Sequence, residues 1–222
     1  MTTPARPGTT SAGRRLGRRL VQLYAGLLLY GAALALLVRA ELGLAPWDVL
    51  HQGLSVQTDP SIGTWTVIVG VVVLLLWVPL RQRPRLGTVS NALLVGVTLD
   101  ATLALLPPLP GTAPVARVGV LALGVALSAV ATAAYIGARL GPGPRDGLMT
   151  GLVARGHSLR VVRTAIEVAV LGGGWLLGGT VGVGTVVFAL AIGPLTHALL
   201  PRLDVAPRPA RRTGRSVVDA AA

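Results

Sequence analysis

LGLAPWDVLHQGL (Leu42 to Leu54) returns 98 residues later as LGPGPRDGLMTGL (Leu140 to Leu152), with Leu42, Gly43, Pro46, Asp48, Gly53 and Leu54 all matched. The correspondence runs on in both directions. Upstream, Gly26, Leu27 and Ala33 fall on Gly124, Val125 and Ala131; downstream, Trp77 falls on Trp175. After a one-residue slip, LGTVSNALLVG (Leu86 to Gly96) matches VGTVVFALAIG (Val183 to Gly193). The chain is therefore one plan written twice. Each copy holds three long apolar runs, and duplicating an odd number of membrane crossings turns the second copy upside down, the arrangement of inverted-repeat transporters.

The six runs lie near 20–40, 62–80, 87–107, 115–138, 161–179 and 182–201, each about the 20 residues that a helix needs to cross a hydrocarbon core of roughly 30 Å. Composition agrees: 52% hydrophobic residues, 13% charged and a mean hydropathy of +0.70 describe a chain that belongs in a bilayer. The runs are continuously apolar and lack the period-2 alternation of an outer-membrane strand, so the expected class is all-α. The expected organisation is a disordered basic tail over 1–19, membrane repeats over 20–107 and 115–201 joined by an external linker over 108–114, and a second disordered basic tail over 202–222. The run after RRLGRRL could be read as a signal peptide. Its membership of the repeat argues that it stays.

A net charge of +12 could suggest nucleic acid. The positions of the arginines give another account and remove that partner. Eighteen of the twenty basic residues fall on one side if the chain crosses six times: before the first run, in RQRPR (Arg81 to Arg85), around the second LG turn and fifth run (Arg139, Arg145, Arg155, Arg160, Arg163), and in the last tail. Only Arg39 and Arg117 fall on the other. Excess arginine marks the cytoplasmic side, so the expectation is a multi-pass protein of the bacterial inner membrane with both termini in the cytoplasm. Such clusters also attract anionic lipid headgroups.

Each LG turn reads as stop, turn and restart. Gly43 and Gly141 suit a left-handed helix end, Pro46 and Pro144 the first position of the next helix, and Asp48 and Asp146 its first turn, facing free backbone N–H groups. The segment after each turn is too short to span and is expected as an interfacial or re-entrant helix. Two readings stand: both copies merely turn the chain at a surface, or two short helices enter from opposite faces and aim their N-terminal ends at a central site. Candidate site residues are then Asp48 and Asp146, with Pro46 and Arg145 beside them. Arg163 and Glu167 join them from the fifth run, four apart on one helical face, either as a self-neutralising pair or as the lining of a polar cavity. Asp100 and His197 occupy equivalent places in the two repeats and read first as interfacial polar residues. GGGWLLGG (Gly172 to Gly179) puts Gly174 and Gly178 at close-packing spacing, and Trp47, Trp65, Trp77 and Trp175 read as interfacial anchors.

No phosphate-binding glycine loop, HExxH or Ser/His/Asp grouping is visible, and there is no cysteine, so neither an enzyme nor a metal or cofactor is expected. LGLAPWDVLHQGLS, LGPGPRDGLMTGL, the Arg163 and Glu167 pair, VGVGT and IGP together resemble the YczE-type membrane proteins of the YczE/YyaS/YitT group, over nearly everything between Leu20 and Pro201. The resemblance implies a bacterial integral membrane protein and names no substrate. The leading functional expectation is a small permease for an unidentified small molecule, with a homodimer as a candidate assembly because six spans enclose little volume. The alternative is a non-transporting accessory or regulatory protein working through protein contacts.

Overall fold

The residues that the computed structural model describes, 9–110 and 114–205, form eight helices. Each half contributes a long helix, a short one, a medium one and another long one. In the first half these are α1 (Thr9–Ala40), α2 (Pro46–Gln57), α3 (Ile62–Leu76) and α4 (Leu86–Leu105). In the second they are α5 (Pro114–Gly137), α6 (Pro144–Val153), α7 (Leu159–Leu176) and α8 (Val183–Leu203). All six runs expected to span are helical. Four segments are long and apolar enough to cross a bilayer, namely Leu16–Ala40 of α1, α4, α5 and α8, while α2 and α3 meet at 117° and could together form a broken crossing. At 15 residues α3 reaches only about 22 Å, and α7 carries Arg160, Arg163 and Glu167 in its first half. Large apolar side chains such as Leu28, Val72, Val97, Leu123, Val168 and Leu190 stand exposed on the outer helix faces, as a hydrocarbon solvent permits.

The centre of the fold is the crossing of α1 and α5, and its contacts come in exchanged pairs. A Cβ on Gly26 would press on the backbone of Ala131 and Tyr135, and one on Gly124 would press on Ala33 and Leu37. Those residues are counterparts of one another, so each long helix packs its glycine into the same place on the other. The LG turns repeat the exchange. The Gly87 N–H, at the start of α4, donates to the Leu140 carbonyl at 2.9 Å, and the Gly184 N–H, at the start of α8, donates to the Leu42 carbonyl at 2.7 Å. Gly43 and Gly141 have φ of 109° and 134°, as expected for a turn that L side chains resist. Two residues earlier the counterparts Glu41 and Arg139 also adopt positive φ, 53° and 55°. Glu41 pairs with Arg117 at 2.8 Å, and Arg139 makes a two-pronged pair with Asp204 at 2.6 and 2.8 Å.

Three expectations need correction. Residues 9–19 are helical, because α1 continues back from its apolar stretch towards Pro7, the last proline before it; Arg19 then donates to the carbonyls of Ala138 and Arg139. At the other end α8 runs to Leu203, and the Val205 N–H donates to the Gly137 carbonyl, so 202–205 are docked. The remainder of both expected tails and 111–113 of the linker lie outside the described residues. Finally, Trp47 and Trp77 are not interfacial anchors but buried, at 8% and 2% exposure. They fill the space between α2, α3 and α6, where Trp77 Nε1 donates to the Pro144 carbonyl at 3.0 Å and its ring covers Gly147.

Candidate functional site

The two short helices begin in the same way and end up facing each other. Both start on proline and carry an aspartate in the first turn. Between them lie the counterparts Trp47 and Arg145, and these touch: the Arg145 guanidinium carbon sits 5.0 Å from the centre of the Trp47 ring, within cation–π range. Arg145 also reaches across to Asp48, its Nη2 3.6 Å from Oδ1, too long for a hydrogen bond but close enough for an ion pair. So a residue at the start of α6 neutralises one at the start of α2.

Beside this meeting point is a cavity of about 400 Å³, within the size range of small-molecule sites. Its origin is a departure from the repeat. In the first half, Gly63 of α3 lies against Gly96 of α4, and neither could carry a Cβ without running into the other's backbone. In the second half Gly63 is replaced by Val161, and Gly193, the counterpart of Gly96, has nothing within 4 Å of its Cβ direction. Without the glycine contact, α7 and α8 do not pack as α3 and α4 do. The space between them is the cavity, closed on the far side by α3, α4 and α5.

Six of the eight candidate residues line it: Pro46, Arg145, Asp146, Arg163, Glu167 and His197. Asp48 lies directly behind Arg145 at 2% exposure. Asp100 is elsewhere: it accepts from the Ser61 hydroxyl at 2.5 Å and the Gly63 N–H at 2.9 Å and so caps the start of α3. Arg163 donates to Glu167 through Nε at 2.9 Å, so the pair is self-neutralising and cavity-lining at once. Asp146 lies beside Gly143 and the Tyr135 hydroxyl, and it also lines a second, more open cleft of about 510 Å³ beside Arg139 and Asp204. Ile136, Asp146 and Leu200 are common to the two spaces.

The sequence pattern did not single out His51 and Thr66. His51 is fully buried one turn after Asp48, with Nδ1 3.3 Å from Asp48 Oδ1 and 3.1 Å from Thr66 Oγ1. The Thr66 hydroxyl donates to the Ile62 carbonyl at 2.9 Å, so it accepts from His51, which puts the ring proton on Nδ1. His51 Nε2 and both Asp48 oxygens are buried without a hydrogen-bond partner. Buried polar atoms left without a protein partner are costly unless water or a ligand meets them. The available signal was the Asp48 and His51 spacing of three, which puts both on one helical face.

A model of a family of unknown function, DUF6198, matches residues 17–201. The chain belongs to that family. Every residue of the cavity falls inside the matched stretch. An uncharacterized protein of Haemophilus influenzae is 41% identical over 175 residues, covering 78% of this chain and 79% of its own. The uncharacterized membrane protein YczE of Bacillus subtilis is 31% identical over 182 residues, covering 81% and 84%. The uncharacterized protein YyaS of Bacillus subtilis is 26% identical over 184 residues, covering 81% and 90%. No solved structure matches the chain. The family resemblance expected from the LG motifs is thus shown, and with it a multi-pass membrane protein; neither assigns a substrate.

Proposed function

We propose that the protein is a small permease of the bacterial inner membrane, with six crossings arranged as two inverted three-helix repeats and both termini in the cytoplasm. The observation that carries the reading is the cavity: charged side chains are scarce in this chain, yet Arg145, Asp146, Arg163 and Glu167 converge on one partly open space where two short helices bring their N-terminal ends together. Charges in such a place mark a solute path more often than scaffold. The exchanged contacts of the LG turns and of Gly26 and Gly124 support a two-fold relation between the halves, and three crossings in each half would make that relation an inversion.

The same geometry supports an inward-facing conformation. The cavity shares Ile136, Asp146 and Leu200 with the cleft beside Arg139 and Asp204, on the side where the arginines gather. Towards the other side, α2 lies sealed in the glycine face of α7, where Gly174 meets the backbone of Leu50 and Gly179 that of Val49. The test is osmotic re-swelling of proteoliposomes shrunk in a panel of small neutral, anionic and cationic organic solutes. At least one solute should re-swell the wild-type vesicles faster than empty ones, and Gly193→Phe, which fills the cavity from an unobstructed position, should abolish the difference. Re-swelling no faster than in empty vesicles across the panel would overturn the permease reading.

A further inference from the structure

The charged groups facing the cavity are not equally satisfied, and the inequality gives the sign of the ligand. Glu167 already accepts from Arg163 at 2.9 Å, and Asp146 lies beside Gly143 and the Tyr135 hydroxyl. Arg145 is different. Its guanidinium holds five donors, yet among the described residues it makes no hydrogen bond, only the 3.6 Å ion pair with Asp48 and the stack on Trp47. It stands at the N-terminal ends of α2 and α6, where helix dipoles favour negative charge. Behind it Asp48 is a carboxylate at 2% exposure whose nearest donors are distant, His51 Nδ1 at 3.3 Å and Arg145 Nη2 at 3.6 Å from Oδ1. The rest of the wall is largely apolar, including Val73, Met149, Phe188 and Ile192.

We infer that the cavity takes a small organic acid with an apolar body, that Arg145 receives its carboxylate, and that Asp48, released by Arg145, takes up one proton for each acid bound. This rests on the cavity being the ligand site. A carboxylate in the cavity offers Arg145 the paired hydrogen bonds that Asp48 does not. Once the guanidinium turns to it, Asp48 is left buried with no cation beside it. The groups facing it from the packed elements are then His51 on α2, whose Nδ1 proton lies between Asp48 Oδ1 at 3.3 Å and the Thr66 hydroxyl of α3 at 3.1 Å, and Tyr30 of α1, which supplies no positive charge; Asp146 of α6, near Tyr30, supplies none either. From α7, Gly174 meets the backbone of α2 and offers no charge. A buried carboxylate in that position binds a proton rather than remaining ionised. The proton comes from water, an O–H bond forms at Asp48, and it breaks again when the acid leaves and Arg145 returns. One monoanion and one proton move together, so the cycle is electrically neutral.

The experiment uses the full-length protein in detergent, with hexanoate and hexylammonium as probes. Calorimetric titration at pH 7 in buffers of different ionisation enthalpy gives both affinity and protons taken up. Wild-type protein should bind hexanoate in preference to hexylammonium and take up about one proton per hexanoate. Asp48→Asn should still bind hexanoate with uptake near zero. Arg145→Gln should lose at least about tenfold in hexanoate affinity. Because that variant strands Asp48, the Asp48→Asn/Arg145→Gln double variant is the control: it holds no unpaired charge, should fold, and should still fail to bind. Unchanged proton uptake in Asp48→Asn overturns the inference, as does absence of hexanoate binding. Binding of hexylammonium alone overturns the anion site yet leaves a ligand cavity standing, and the vesicle re-swelling result remains independent of all three.

Discussion

A methyl group added at Gly96 and one added at Gly193 separate the two halves of the protein more sharply than any larger change. The two glycines are counterparts, on α4 and α8, and any account resting on the repeat alone gives them the same environment. The structure does not. On Gly96 the methyl runs into the carbonyl oxygen of Gly63, a backbone atom in a packed helix that has no rotamer to escape by. Overpacking of this kind costs about 1–3 kcal/mol, which for a chain of this size lowers Tm by about 2–12 °C at 2–4 °C per kcal/mol. On Gly193 nothing lies within 4 Å, so the methyl meets open space while alanine gains about 0.5–1 kcal/mol over glycine in a helix. Gly96→Ala should therefore melt lower than wild type and Gly193→Ala at the same temperature or slightly higher, read by tryptophan fluorescence of the purified protein in detergent. Equal losses in the two variants would refute the reasoning, since α7 and α8 would then be packed like α3 and α4 and the cavity between them would not exist.

Gly43→Ala and Gly141→Ala should each reduce membrane abundance, because each puts a side chain at positive φ and drives its Cβ to 2.7 Å from Thr185 Oγ1 or Thr88 Oγ1; Gly156→Ala, at φ 95° with open space around it, carries only the strain of about 1–3 kcal/mol and should fall less. Removing either Arg163 or Glu167 leaves an unpaired charge in the cavity wall, so abundance of Arg163→Gln and Glu167→Gln should drop and that of the double variant recover if the pair serves mainly as scaffold; normal abundance of Glu167→Gln with lost vesicle re-swelling would place the carboxylate in the solute path instead. Trp77→Phe should cost about 0.5–1.5 kcal/mol for the bond to Pro144, and Trp77→Ala about 3–5 kcal/mol for the volume under Gly147, as a pair of Tm shifts.

Much of this fold was legible because backbone chemistry repeats faithfully. Gly43 and Gly141 had to be glycine for a reason that φ now displays, and Pro46 and Pro144 open α2 and α6 where helix-start statistics put them. Gly26 and Gly124, matched only as letters in the sequence, turn out to be the contact between the central helices. The close-packing reading of Gly174 likewise holds, with α2 as its partner. Tryptophan misled, because an amphipathic ring near a helix end satisfies an interfacial pattern and a buried one equally, and only the neighbouring helix decides. The pairing of Arg145 with Asp48 could not be read at all: it joins residues almost a hundred positions apart that come together only when the halves dock. The cavity did leave a trace. It is the replacement of Gly63 by Val161, a break in the repeat where the repeat had been a close contact.

For the short helices to meet in the middle of the membrane, the two halves must enter it from opposite faces. Asp59 and His157 are counterparts, each exposed in the connection after a short helix, and the chain has no cysteine of its own. Single cysteines placed at these two positions, treated with a membrane-impermeant thiol reagent on intact cells and again on inverted membrane vesicles, report the face of each. Inversion predicts that Asp59→Cys is labelled only on intact cells and His157→Cys only on inverted vesicles. Labelling of both from the same side would contradict the inverted repeat, and with it the site between the helices.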